Sequence, residues 1–278
     1  MVAPGAPAQG SPARMSGRSG RVRDWRDALH AAPVVPLDAL VGPGGALVIA
    51  PHPDDETLGC GGLIAALAAV GRPVAVAVLT DGAASHPRSA AYPAPRLTAL
   101  RERETRDALA HLGAAGAPLR FLRHPDGGLG TADTRASAEA LAAWAGALGR
   151  PTLFVTWDGD PHPDHKAAFA LARRVQARTG LPLRAYPVWA LTLPGEAPLD
   201  ATLGPIARFD VGAHLAAKRR AAMAHRSQVE DLIADDPSGF RLTPDQLALF
   251  ITGHETFIAV PPSAPESERS GARALPSR

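Results

Sequence analysis

The chain has 278 residues, of which 46% are hydrophobic and 20% charged, with a formal net charge of +2 at pH 7. That length and apolar fraction suit one sizeable core, and no stretch reaches the roughly 18 uncharged apolar residues of a membrane span. The N-terminus has no signal-peptide core, and a single cysteine, Cys60, excludes both an internal disulfide framework and a multi-cysteine zinc site. A soluble, cytoplasmic protein is the expectation, and any metal has to be held by histidines and carboxylates.

Charge is unevenly spread. Residues 1–28 carry five arginines against Asp24 and Asp27, a local balance of +3, so the remainder is close to neutral. Residues 1–22 and 263–278 are rich in Pro, Ser, Gly and Ala and are expected to be disordered, the first as a basic leader. Residues 23–262 are expected to form a single α/β domain. A basic leader can touch nucleic acid, but the near-neutral remainder and an aromatic content of 5% argue against such a partner.

Along the chain, Ala46–Ala50 is an apolar run bounded by Gly-Gly and Pro, as expected of a buried strand. Residues 56–70 are helix-compatible and stop at Gly71. Val74–Thr80 is a second buried strand, closed by Asp81-Gly82. An amphipathic helix is predicted over 97–112, ended by Gly113, followed by a short strand over 119–122 and a helix over 134–148. A strand over 152–157, a helix over 165–179 stopped by Gly180, and a strand over 184–192 complete the pattern. This alternation predicts an α/β, Rossmann-like, mostly parallel sheet with helices on both faces. Ligands of such sheets bind outside the carboxyl ends of the strands, which is where a metal site is expected.

Two segments at such ends combine imidazole with carboxylate. Pro51-His52-Pro53-Asp54-Asp55-Glu56 follows the first strand, and Asp158-Gly159-Asp160-Pro161-His162-Pro163-Asp164-His165 follows the strand over 152–157. The prolines stiffen both loops. A catalytic zinc takes three protein ligands and keeps one position open for water, and His52, Asp55 and His165 can supply that set. Asp54, adjoining a ligand, is then placed to take the water's proton. His162 can serve the developing oxyanion, with Asp164 available to hold its tautomer. The plain alternative is that each His-Pro-Asp is a turn whose Asp caps the next helix. Two such segments after two different strands favour the metal site. Donor sets of this kind also accept iron(II), cobalt or manganese.

With these residues the sequence resembles the PIG-L/LmbE-like family of zinc-dependent N-deacetylases, over about residues 45–230. The first family motif matches at Pro51–Glu56 with the glycine-rich start Leu58-Gly59-Cys60-Gly61-Gly62, the second at His162–His165. The resemblance implies the same ligand set, Asp54 as general base and His162 as the aid to the tetrahedral intermediate. It also implies a small-molecule amino-sugar conjugate as substrate, with Arg101 and Asp126 as candidate substrate contacts. Lys218 and His225-Arg226-Ser227-Gln228 resemble a late family helix, Lys218 reading equally as part of a solvated face. His86, on the loop after Asp81-Gly82, is the best outsider among the other histidines, and Cys60 reads as a small residue packed under a helix. No stable membrane insertion is expected, and a homo-oligomer remains open. The segment after Gln228, including Asp235-Asp236-Pro237 and Thr252-Gly253-His254-Glu255, matches no family motif.

Other classes fit less well. A dinucleotide-binding oxidoreductase would share the alternation, but Gly59, Gly61 and Gly62 do not make G-x-G-x-x-G, because Ile64 stands at the last place. An amidase acting on a non-sugar N-acylated metabolite would use the same metal site. A non-catalytic binding protein working through the basic leader would not need Asp54.

Overall fold

The computed structural model describes residues 20–199 and 204–262. The predicted leader up to residue 19 and the predicted tail from 263 lie outside the described residues. Strand β1 (Gly20–Arg21) runs into helix α1 (Val22–Ala31), and a short helix α2 (Leu37–Leu40) precedes the alternating body. That body is β2 (Ala46–Ala50), α3 (Asp55–Ala69), β3 (Val74–Thr80), α4 (Ala94–His111), β4 (Leu119–His124), α5 (Arg135–Ala147), β5 (Thr152–Thr156), α6 (Pro163–Thr179) and β6 (Leu183–Tyr186). Thereafter come β7 (Pro198–Leu199), β8 (Ile206–Asp210), α7 (Leu215–Ala224), α8 (Arg226–Val229), α9 (Pro244–Phe250) and β9 (His254–Val260).

The main sheet has the order β4-β3-β2-β5-β6-β9-β8. Strands β4 to β6 are parallel, whereas β9 runs antiparallel to both β6 and β8. The chain first winds outward from β2 through β3 to β4, then returns to the other side of β2 with β5. The reversal leaves a crevice between the carboxyl ends of β2 and β5, the place where open α/β sheets bind ligands.

The two-residue pleat divides the core. Val48, Val76, Val78 and Phe154 face a layer containing Leu63, Ile64, Leu67, Leu109 and Ala221. Leu47, Ile49, Leu79, Leu153 and Val155 face Leu141, Ala168, Leu171 and Val175. Helices therefore cover both faces, as the alternation predicts. Each such side chain withdrawn from water contributes roughly 1.5–3 kcal/mol, which explains why these strands are apolar without interruption. Helix α3 crosses the sheet at close range. A side chain at Gly59 would run into the Tyr186 ring, and one at Gly62 into Val211. Cys60 beside them is fully buried, as expected of a packing residue.

Two sequence expectations shift. Residues 20–22 of the predicted leader are part of the fold, because β1 pairs with β7 and α1 buries Val22, Trp25 and Leu29. Trp25 stacks on Trp157 with ring centroids 5.0 Å apart, giving this helix a third small core. The predicted strand over 184–192 ends at Tyr186. Pro187 has no N–H to continue a ladder, and residues 189–192 turn into a 3-10 helix. The region beyond Gln228 adds α9 and β9 to the same domain. No helix among the described residues is long and apolar enough to cross a membrane.

Candidate active site

Both motif loops meet in the crevice. After β2, the carbonyl of Pro51 accepts from the Thr80 N–H and hydroxyl, each at 2.9 Å, fixing the start of the turn to β3. Helix α3 starts only at Asp55. Asp54 before it has φ 155° and ψ −27°, a conformation that residues with a Cβ rarely adopt, and its side chain makes no capping bond. The plain capping role is therefore not what Asp54 does. Its N–H is tied to the His52 carbonyl at 3.0 Å and to Glu56 Oε2 at 3.1 Å, which holds the unusual backbone in place.

Asp55 faces the other way. Its Oδ2 accepts from the His52 N–H at 3.0 Å and lies 3.1 Å from His52 Nδ1 and 3.3 Å from His165 Nε2. Burial works to raise its pKa, but His165 and His52 outweigh it and hold the carboxyl well below the usual range. The predicted trio of His52, Asp55 and His165 is thus brought together. Candidate ligand atoms of His52, His162 and His165 lie within 4.8 Å of one another, as do those of His52, Asp126 and Asp164.

The two histidines of the second loop differ in what Nδ1 meets, a carboxylate in one and a backbone N–H in the other. The ring of His165 is fully buried, and its Nδ1 lies 2.8 Å from Asp160 Oδ2. Its Nε2 faces the cluster with no hydrogen-bond partner. A buried polar atom left so costs about 1–3 kcal/mol, a cost that a cation held there would offset. His162, by contrast, caps α6 by accepting the Asp164 N–H on Nδ1 at 3.2 Å. Burial and the neighbouring His52 and His165 lower its pKa, so it stays neutral with its proton on Nε2. Burial disfavours charge on His165, yet Asp55 and Asp160 raise its pKa to about 9. Protons occupy a pocket this negative until a divalent cation displaces them. The residues present fit such an ion.

Asp54 pairs with another group, its Oδ2 lying 3.1 Å from an Arg101 guanidinium nitrogen. Burial raises its pKa to about 6 against the opposing charge of Arg101, a value suited to a base working near neutrality. Arg101 is itself buried. It also donates to the carbonyls of Gly82 and Pro53, each at 2.9 Å, so most of its donors already serve this loop. Asp126 accepts from the Ala84 N–H at 2.9 Å and lies 3.2 Å from His52 Nε2. The Asp164 carboxylate meets other groups than His162. It accepts from the Gly127 and Leu129 N–H groups and approaches His52 Nε2 at 3.3 Å. The backbone N–H of Asp164, not its carboxylate, is what His162 Nδ1 accepts from.

A cavity of about 230 Å³ opens over these groups, walled by Ser85, Trp189, Gln228 and Phe240 besides the motif residues. Trp189 and Phe240 meet edge to face with centroids 5.4 Å apart. Sequence reasoning left both aromatics unassigned. Asp235 and Asp236 explain the placement of Phe240: they accept from the Arg88 and Ala91 N–H groups and the Ser89 hydroxyl, strapping residues 235–240 to the loop after β3. His86 is buried in that contact against Gly239 and does not line the cavity. Lys218 is no part of a solvated face. Fully buried, it pairs with Glu255 at 2.7 Å, and Glu255 also accepts from the Gly62 and Leu63 N–H groups of α3.

Known proteins resemble the chain in both sequence and fold. The family described as PIG-L: GlcNAc-PI de-N-acetylase matches residues 47–176. The 1D-myo-inositol 2-acetamido-2-deoxy-alpha-D-glucopyranoside deacetylase of Actinosynnema mirum is 31% identical over 236 residues, covering 68% of this chain and 82% of that one. The enzyme of the same name from Rhodococcus jostii is 32% identical over 280 residues, covering 81% and 94%. Among solved structures, the N,N'-diacetylchitobiose deacetylase of Pyrococcus horikoshii superposes with a TM-score of 0.60 at 22% identity, covering 85% of this chain and 90% of that one. A deacetylase of the teicoplanin biosynthesis pathway gives 0.58 at 22% identity, covering 78% and 98%. These two likenesses speak for the fold, and the sequence relatives for the family. The chain belongs to the PIG-L family of de-N-acetylases, and it is an N-deacetylase, a hydrolase of amide bonds.

Proposed function

We propose that the chain removes the acetyl group from the 2-acetamido nitrogen of an N-acetylglucosaminyl conjugate, using zinc held by His52, Asp55 and His165. The observation that carries this reading is the opposed pair of imidazoles. His165 keeps an unpartnered Nε2 toward Asp55, while His162 presents an Nε2–H. The names of the sequence relatives, deacetylases of a 2-acetamido-2-deoxy-glucopyranoside of myo-inositol, support the acceptor class. So does the small cavity, which suits a single acetylated sugar with its aglycone passing Trp189 and Phe240.

When bound, the cation supplies Lewis acidity, acidifying a water and polarising the amide carbonyl. Asp54 accepts the proton of the attacking water, its pKa near 6 leaving it ionised at neutral pH. Arg101 keeps the Asp54 carboxylate aimed by holding both Oδ2 and the Pro53 carbonyl. His162 donates Nε2–H to the oxygen that gains negative charge as the carbonyl carbon becomes tetrahedral. The proton taken by Asp54 then passes to the departing amine nitrogen, so acetate and a free amine leave. Asp126, at the cavity wall beside His52, is placed to accept from sugar hydroxyls.

Acetate release from N-acetylglucosaminyl-inositol, N,N'-diacetylchitobiose and non-sugar N-acetyl amines, with metal content measured on the same sample, tests this. The expected result is about one zinc per chain and chelator-sensitive release from glucosaminides. Release from the non-sugar amides alone would overturn the substrate, and full activity without any metal would overturn the site.

A further inference from the structure

Asp160 stands five residues before His165 in the loop after β5 and is fully buried. The mechanism above gives it no step. Its Oδ2 lies 2.8 Å from His165 Nδ1 and accepts from the Val188 N–H at 3.0 Å and the Trp189 N–H at 3.2 Å. Its Oδ1 accepts from the Ala190 N–H at 2.9 Å. A carboxylate this deep is costly unless its lone pairs are met, and here three backbone N–H donors meet them beside the His165 ring nitrogen.

We infer that Asp160 is a positioning residue that holds His165 in the tautomer with Nε2 free for a cation and ties this ligand to the aromatic cavity wall. A proton fixed on Nδ1 by an anionic acceptor leaves the lone pair on Nε2, the atom directed at Asp55. The same two oxygens gather three successive amides of residues 188–190, so the turn carrying Trp189 is anchored on the carboxylate that orients His165. The wall of the cavity and the ligand therefore share one support. Substrate contact at Trp189 and metal geometry at His165 are mechanically joined.

This inference rests on the reading that the cluster binds a divalent cation, and the experiment separates the two. Zinc affinity of the full chain is measured by competition with a chromophoric chelator for wild type, Asp160→Asn and Asp158→Asn. In Asp160→Asn one oxygen becomes an NH₂ among neighbours that all donate, so zinc binding should weaken by about 10- to 100-fold with the fold intact by circular dichroism. Asp158→Asn removes the same charge from an exposed position in the same loop and should bind zinc as wild type does. Long-range ¹H–¹⁵N NMR of zinc-loaded wild type should find His165 protonated on Nδ1, a readout that stands even if Asp160→Asn fails to fold. A folded Asp160→Asn with wild-type zinc affinity, or His165 protonated on Nε2, overturns the inference alone. Wild type that binds no zinc overturns it together with the metal reading.

Discussion

The loops after β2 and β5 carry the same His-Pro-Asp tripeptide and put it to different uses. In the first, helix α3 waits until Asp55, so Asp54 sits outside the helix in a rare backbone conformation with its carboxylate beside Arg101. In the second, α6 begins at Pro163, and Asp164 lies within the first turn, its carboxylate bonded to the Gly127 and Leu129 amides. The histidines differ correspondingly: His162 caps its helix, whereas His52 reaches across to Asp55, Asp126 and Asp164. The residue after each tripeptide, Asp55 or His165, is the one that faces its counterpart across the crevice. A two-residue difference in where the helix starts thus decides whether the aspartate meets a side chain, Arg101, or backbone amides.

Substitutions can break this comparison, and the largest effect is expected at the facing positions. His165→Ala should lose both bound metal and turnover, measured by metal analysis beside acetate release. Asp54→Asn should keep metal and lower kcat by about 10²–10⁴-fold, the usual worth of a positioned base. His162→Ala should also keep metal and lower kcat by about 10²–10³-fold, as removal of an oxyanion donor does. If His162→Ala instead lost the metal, the donor and ligand roles of the two imidazoles would have to be exchanged. Asp164→Asn should be felt in stability, by about 1–3 kcal/mol in urea unfolding, because an amide nitrogen would face backbone donors.

A pH series sharpens the contrast further. Asp54 is raised from its ordinary 3.8 to about 6, so between these values the folded protein holds a proton that the unfolded chain has released. Its contribution to stability is therefore lost as pH rises through that window. Urea midpoints of metal-free Asp54→Asn should fall less than those of wild type between pH 4 and pH 7. An equal fall in both would mean that burial does not raise the Asp54 carboxyl.

Much of this was legible before any fold was drawn. The apolar runs at 46–50, 74–80 and 152–157 mark strands because strands covered on both faces have no polar side to show. The motif residues are legible because metal chemistry restricts ligand types and because strand ends are where open sheets bind. Less legible was everything supplied by distant segments. Trp189 reads as the end of a strand, since nothing local reveals that Pro187 and the Asp160 carboxylate together turn the chain. Lys218 reads as solvated, since its partner Glu255 lies 37 residues away. Phe240 reads as unremarkable loop, since the aspartates that strap it to residues 88–91 act across nearly 150 positions.

The sequence by itself determined the alternation, the crevice to search, and the residues His52, Asp54, Asp55, His162 and His165 that meet there. Local rules suffice for these, because helix and strand periods and metal-ligand preferences are properties of neighbouring residues. Only the tertiary structure decided what each imidazole Nδ1 meets, that the Asp164 carboxylate is bonded to the Gly127 and Leu129 amides and Asp160 lies against His165, and which aromatics wall the cavity. Those outcomes depend on hydrogen-bond partners delivered by packing, and a side chain's partners across the fold are not encoded in its sequence neighbours.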